Sequence, residues 1–401
     1  MFKGYDEFLN ETRGVPENIG NVAATLFDKI LAEKFDNTNG EDLNELEVKF
    51  KGPFQIGNRK VKNIIIELAF EVYPHVEGGI QIARLGQMNQ GKVGSLPATV
   101  GKTGKIHPGK MRLENLETSD IHILIHFVAD KNVKGKEIKK FLELRRAKTI
   151  SELAHELQHG YEAYKRGHGK LSRKADYAAY SEIEFSLPPL SFFMHSLYFT
   201  HETENLVRAS EVSTEMKELG ITKKEFLKFI NSNETYKTLK KIRDTTYDSF
   251  RKEILEHIDT VKEWLESNKF QLEGKSDDAI IDDMLRSVYF KIVEAKGEAL
   301  RNILVPGGDN PFAAMMHAMS TPHEEKARNQ EFFEKFMKKS LKFEKDPLEF
   351  YKTEISKASK SAVETMKRIS KLYADAPDTN ESILNWDLWH KINKKTKSFG
   401  I

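Results

Sequence analysis

The sequence predicts an α+β fold, with a small mixed sheet in the N-terminal half and helices through most of the remainder. Two observations carry this. Short β-branched and apolar runs, broken by turn residues, fill the stretch from about Glu45 to Asp130. From about Lys136 onward, apolar residues recur at helical spacing instead. The pattern divides the chain into an N-terminal helical segment (1–44), a β-rich half (45–135), a helical half (136–270) and a helical C-terminal region (271–401).

Taken in order, the first periodic segment runs from Asn21 to Lys34, with Val22, Leu26, Ile30 and Leu31 on one face, and Asn37-Thr38-Asn39-Gly40 ends it. Asn63–Val72, Gly79–Ala83 and Ile121–Val128 read as strands. Gly91–Lys110 is rich in Gly, Lys and Pro and reads as a loop or ragged hairpin. Its Gly101 and Gly104 do not open a helix after a strand, so it is no phosphate-binding loop. Ile150–Lys165 reads as a helix capped by Thr149 or Ser151, with Glu152 in its first turn. Pro188-Pro189 interrupts the next segment, and the aromatic run Leu190–Phe199 is expected in the core. His201–Leu219 is a helix stopped by Gly220. Lys223–Lys275 is amphipathic helix with short breaks, 305–311 is a loop, and Phe332–Ala374 returns to charged helix.

Composition narrows the function. Of 401 residues, 63 are basic and 61 acidic, giving a net charge of +2. Such balance leaves no electrostatic footprint for nucleic acid or an anionic membrane. There is no cysteine, which excludes disulfides, thiolate metal sites and a cysteine nucleophile. The N-terminus lacks the basic start and apolar run of a signal peptide, and no stretch approaches the length of a membrane-spanning helix. A cytoplasmic or virion-associated protein is expected.

The chemistry lies in Ser151-Glu152-Leu153-Ala154-His155-Glu156-Leu157-Gln158-His159-Gly160. Histidines four apart on a helix share one face, so His155 and His159 can offer two imidazole nitrogens to one Zn2+. Glu156 sits beside that face. Zinc acidifies water, and a carboxylate there takes the proton as general base. The bland alternative is two exposed histidines on a charged helix.

A catalytic zinc takes three protein ligands and keeps a fourth position open. Glu182, Glu184, Glu202, Glu204 and Glu211 are candidates for the third. Glu204, Arg208 and Glu211 fall at i, i+4 and i+7, a polar stripe opposite Leu206, Ala209, Val212 and Met216. That stripe faces either a metal cleft, with Arg208 and Glu211 supporting the ligands, or water. Glu202 lies closer to the apolar side and is the rival ligand. Tyr198, His201 and Arg208 are candidates for stabilising the developing oxyanion.

The stretch Phe193–Val212 resembles a block that follows the His-Glu-Leu-x-His element in zincin-like proteins of tailed bacteriophages. The recurring Glu-Asn-Leu-Val-Arg and Glu-Val of that family map onto Glu204–Arg208 and Glu211-Val212, and Thr235–Lys240 is similar as well. The likeness covers roughly residues 145 to 250, and Ala209 stands where the family block has proline. A metzincin continuation would need Gly at 162 and His at 165, where this chain has Glu162 and Lys165. The resemblance implies a gluzincin-type zinc metallopeptidase that acts on protein or peptide, in a zincin-like domain, with Glu204 as third ligand. It also implies a phage or virion setting. The competing expectation is a non-enzymatic virion or structural protein that retains the fold.

Other histidines read as structural. His122 and His126 share a strand face, and His317 and His323 lack a ligand partner at short spacing.

Overall fold

The computed structural model describes residues 15–31, 46–56, 59–73, 80–87, 99–100, 106–107, 121–130, 135–166, 171–183, 185–304 and 323–378, with isolated positions at 76, 133 and 321. The fold is α+β. Helix α1 (Val15–Ile30) precedes β1 (Leu46–Ile56), β2 (Arg59–Tyr73), β3 (Ile80–Gln87), the two-residue strands β4 (Thr99–Val100) and β5 (Ile106–His107), and β6 (Ile121–Asp130). Helices then follow: α2 (Gly135–Leu144), α3 (Arg146–Arg166), α4 (Leu171–Glu182), α5 (Pro188–Phe199), α6 (Glu202–Glu218), α7 (Lys223–Ser232), α8 (Glu234–Asp244), α9 (Tyr247–Leu255), α10 (Ile258–Ser267), α11 (Asp277–Leu304), α12 (His323–Ser340) and α13 (Pro347–Lys371).

The main sheet has the order β1-β2-β6-β3 and is mixed. β2 pairs antiparallel with β1 and parallel with β6, and β3 runs antiparallel to β6. The register sets Ile64 against Ile121 and Ile66 against Ile123, so β-branched residues of two strands share one face. That face is buried. Ile64, Ile66, Leu68, Ile123, Ile125 and Phe127 form one core with Ile19, Leu26 and Phe27 of α1 and Leu153 and Leu157 of α3. Each such side chain contributes about 1.5–3 kcal/mol of burial. Alternation places His126 on the other face, where it is half-buried; the His122 side chain lies outside the described residues. The register of β1 shifts between Lys51 and Phe54, around Pro53, which has no N–H to give the ladder. Within Gly91–Lys110, β4 and β5 pair antiparallel; the rest, like loop 305–311 and His317, lies outside the described residues.

Two expectations change. The metal-motif helix α3 begins at Arg146, not at a cap on Thr149 or Ser151. The chain is already helical from Gly135, and Thr149 N–H donates to Arg145 O, so no cap is required there. Ser151 instead donates to the Lys148 carbonyl, and Glu152 pairs with Arg145 and Lys148 rather than with a helix N-terminus. Second, Pro188-Pro189 starts α5 rather than interrupting a helix, because proline's missing N–H costs nothing in the first turn. One core includes residues on both sides of position 270. Phe193, Met194 and Leu197 of α5 pack with Phe250 of α9, Leu285, Tyr289 and Ile292 of α11, and Phe350 and Tyr351 of α13. Gly220 ends α6 with φ of 63°, a conformation that disfavours a Cβ.

Candidate metal centre

Helix α3 has two faces. Ile150, Leu153, Ala154 and Leu157 recur at i, i+3, i+4 and i+7 and bury against the sheet side. His155 and His159 lie on an adjacent stripe that packs against α6. Helix α6 presents Glu204, Arg208 and Glu211 in return. It also buries Val207, Val212 and Met216, so α6 is enclosed on both sides and its polar stripe does not face water. His155 is 4% exposed, Glu156 7%, His159 7%, Glu204 0% and Glu211 2%. A cluster this buried must satisfy its charges internally.

His155 Nε2 and His159 Nε2 stand 3.0 Å apart. Glu204 Oε1 is 3.0 Å from His159 Nε2, and Glu204 Oε2 is 3.3 Å from His155 Nε2. Neighbouring ligands of a four-coordinate zinc lie roughly 3.3 Å apart, so the three groups already stand at about the spacing a metal needs. Among the described residues, this is the group of histidine and carboxylate side chains able to close on one cation. Two features mark how closely these groups converge. Two imidazole nitrogens are aimed at each other. Glu204 Oε2 has charged neighbours but no well-aligned hydrogen bond.

The surroundings fix the ligands. His155 Nδ1 lies 3.2 Å from Glu211 Oε2, which orients the ring and leaves Nε2 facing His159 and Glu204. Glu211 also accepts from Arg208 at 3.0 Å, Lys148 at 2.8 Å and Thr235 at 3.2 Å. On Glu204, Tyr177 O–H donates to Oε1 at 2.9 Å and an Arg208 nitrogen lies 3.0 Å from Oε2. Arg208 therefore spans both carboxylates, with its guanidinium 4.2 Å from the centroid of Phe199. Glu156 Oε1 sits 4.0 Å from His155 Nε2, beside the donors without joining them.

Electrostatics follow from burial and these contacts. Burial and Arg208 push the His155 pKa down, but Glu204 and Glu211 outweigh them and raise it to about 9. Burial pushes Glu204 up, yet His159, Arg208 and His155 hold it well below the usual carboxylate range. Burial likewise opposes ionisation of Glu211, and the hydrogen bond with His155, Arg208 and Lys148 prevail to keep it low. Without metal, a proton on His155 supplies the positive charge. The phenols are held neutral: burial, then Glu204, raises Tyr177 strongly and Tyr198 to about 12.

The residues singled out in the sequence therefore divide. His155, His159, Glu204 and Glu156 come together, with Arg208 and Glu211 around them. Tyr198 reaches the cluster through Tyr177, at 3.3 Å between hydroxyls, and His201 stacks edge-on against Tyr177 with centroids 5.6 Å apart. Glu202 turns away, half-exposed and paired with Arg173. The side chains of Glu182 and Glu184 lie outside the described residues. His323 is exposed at the start of α12. Sequence reasoning missed Tyr177 and Lys148, and Thr235 carried only its likeness to the family block. No protein-family model matches the chain, and no curated protein or solved structure matches it either.

Proposed function

We propose that this chain is a zinc-dependent peptidase with a zincin-like site. The observation that supports it most is the convergence of His155 Nε2, His159 Nε2 and Glu204, with Glu211 on the far nitrogen of His155 and Glu156 alongside. Two imidazoles and one carboxylate, with no thiolate, suit zinc. Bound zinc would supply Lewis acidity to water and to a substrate carbonyl.

The chain's own groups do the rest. His155, His159 and Glu204 hold the metal, and Glu211 and Arg208 keep those ligands oriented. Glu156 takes the proton from the attacking water and returns it to the leaving amine. Tyr198, a neutral phenol whose hydroxyl lies 3.3 Å from that of Tyr177, is the donor available to a developing oxyanion, because the one proton of Tyr177 is given to Glu204. Arg208 already serves two carboxylates and belongs to positioning. A peptide substrate is favoured by β3, which is an edge strand among the described residues and packs against α3. Its outer backbone groups offer an extended peptide a strand to pair with. The viral setting comes from the sequence resemblance alone.

A second reading has one observation in its favour. Burial of every ligand suits a structural metal in a non-enzymatic protein. Glu156→Gln separates the two. For the peptidase, zinc content stays at wild-type level while hydrolysis of an unfolded-protein substrate falls by about a hundredfold or more. A variant as active as the wild type removes Glu156 from the chemistry, and a wild type that cleaves nothing while holding zinc leaves the structural reading.

A further inference from the structure

Helix α4 carries Tyr177 to the metal centre and packs along α11. Ala175, Ala178 and Ala179 of α4 share one apolar cluster with Ala295, Ala299 and Leu300 of α11, bordered by the larger Ile183, Ile303, Phe333 and Phe336. Small side chains let helices approach closely but offer few ridges to lock a register. A slide of one turn moves a helical residue by about 5.4 Å, far more than the 2.9 Å hydrogen bond from Tyr177 to Glu204 tolerates.

One buried polar contact also ties the two helices together at a defined point. Lys296 of α11 is buried among apolar neighbours, with only 8% of its surface exposed. Its Nζ donates to Tyr180 O–H at 2.8 Å and lies 2.9 Å from Asp176 Oδ1. Asp176 and Tyr180 are one turn apart on α4 and bracket Tyr177. An ammonium buried this way costs desolvation, and an apolar residue of similar volume is often no less stabilising. What the lysine adds is a defined point of attachment.

We propose that Lys296 is a positioning residue for the metal centre: it grips Asp176 and Tyr180, fixes the register of α4 on α11, and thereby keeps the Tyr177 hydroxyl on Glu204. The functional consequence rests on Glu204 being a metal ligand; the geometric part does not. The C-terminal region is then a template for the site rather than an appendage to it.

The test is a double-mutant cycle of Lys296→Met and Tyr177→Phe in the full chain, with Lys296→Arg as the conservative control. In the presence of chelator, Tyr177→Phe should lower the urea midpoint in the wild-type background and leave it unchanged in the Lys296→Met background. With Co2+ as the probe metal, both single variants and the double should share one altered visible spectrum and about tenfold weaker binding, and Lys296→Arg should retain the wild-type spectrum. Additive effects in the chelator cycle, or a wild-type cobalt spectrum in Lys296→Met, would overturn the proposal. If the wild type binds no metal, the peptidase reading fails, and the chelator cycle decides the geometric proposal by itself. If Lys296→Met does not fold, Tyr180→Phe loosens the same grip and takes its place in the cycle, with the same two outcomes.

Discussion

His155 uses both ring nitrogens, and the division of labour between them organises the site. Nε2 faces His159 and Glu204, and Nδ1 faces Glu211. The carboxylate on Nδ1 fixes the tautomer and makes the imidazole a better ligand. Glu211→Gln keeps the shape of that side chain and removes its charge. Zinc affinity should fall by about 10- to 100-fold, measured by competition with a chromophoric chelator, while far-UV circular dichroism is unchanged. Unaltered affinity would show that Glu211 supports the fold and not the ligand. Legibility also differs residue by residue. His155, Glu156 and His159 are readable because helical periodicity alone sets their relation. Tyr177 is not, since its distance to Glu204 depends on how α4 packs on α11 and α5, which no local pattern encodes.

At the scale of elements, α6 holds most of the interest. Its polar stripe is visible in the sequence, but whether that stripe faces water or a buried partner depends on α3 lying against it. Periodicity gives the faces of a helix and leaves their neighbours open. Helix α8 then buttresses the stripe through Thr235, and α8 is itself started by Asn233, whose Oδ1 accepts from Tyr236 N–H at 3.0 Å and whose amide donates to Glu215 at 2.9 Å. Asn233→Ala should cost about 1 kcal/mol of stability, read from urea denaturation, and weaken zinc binding only slightly. A loss several times larger would mean that the Glu215 contact, not the cap, is the main contribution. The strands were readable because β-branched and apolar runs such as Ile64–Ile66 stand between turn residues, and Ile64, Ile65 and Ile66 are all buried. The start of α3 was not, because Thr149 and Ser151 resemble caps only if the preceding residues are non-helical.

For the whole molecule, the buried charges set a pH profile. Glu204 and Glu211 titrate below their ordinary 4.5, so the stability they give the metal-free chain is present above that pH and is lost as pH falls through their depressed values. His155 is raised from 6.5 to about 9, so its contribution is present below 6.5 and is lost as pH rises through about 9. The metal-free chain should therefore be most stable near pH 5.5, with lower denaturant midpoints near pH 3.5 and pH 9.5. Zinc should lift the alkaline limb, because it binds the deprotonated imidazole. A midpoint that climbs steadily to pH 9.5 in chelator would contradict the charge arrangement described here. The helices beyond residue 270 share a core with α5 and α9, which precede it.

The most direct test of the account is metal content. Wild-type protein and the His155→Ala and Glu204→Ala variants, purified without chelator and resupplied with zinc, are compared by elemental analysis. The account expects about one zinc per chain in the wild type and loss of stoichiometric zinc in both variants. Retention in Glu204→Ala would take the third ligand away from Glu204, and absence of stoichiometric metal from the wild type would contradict the metal centre itself.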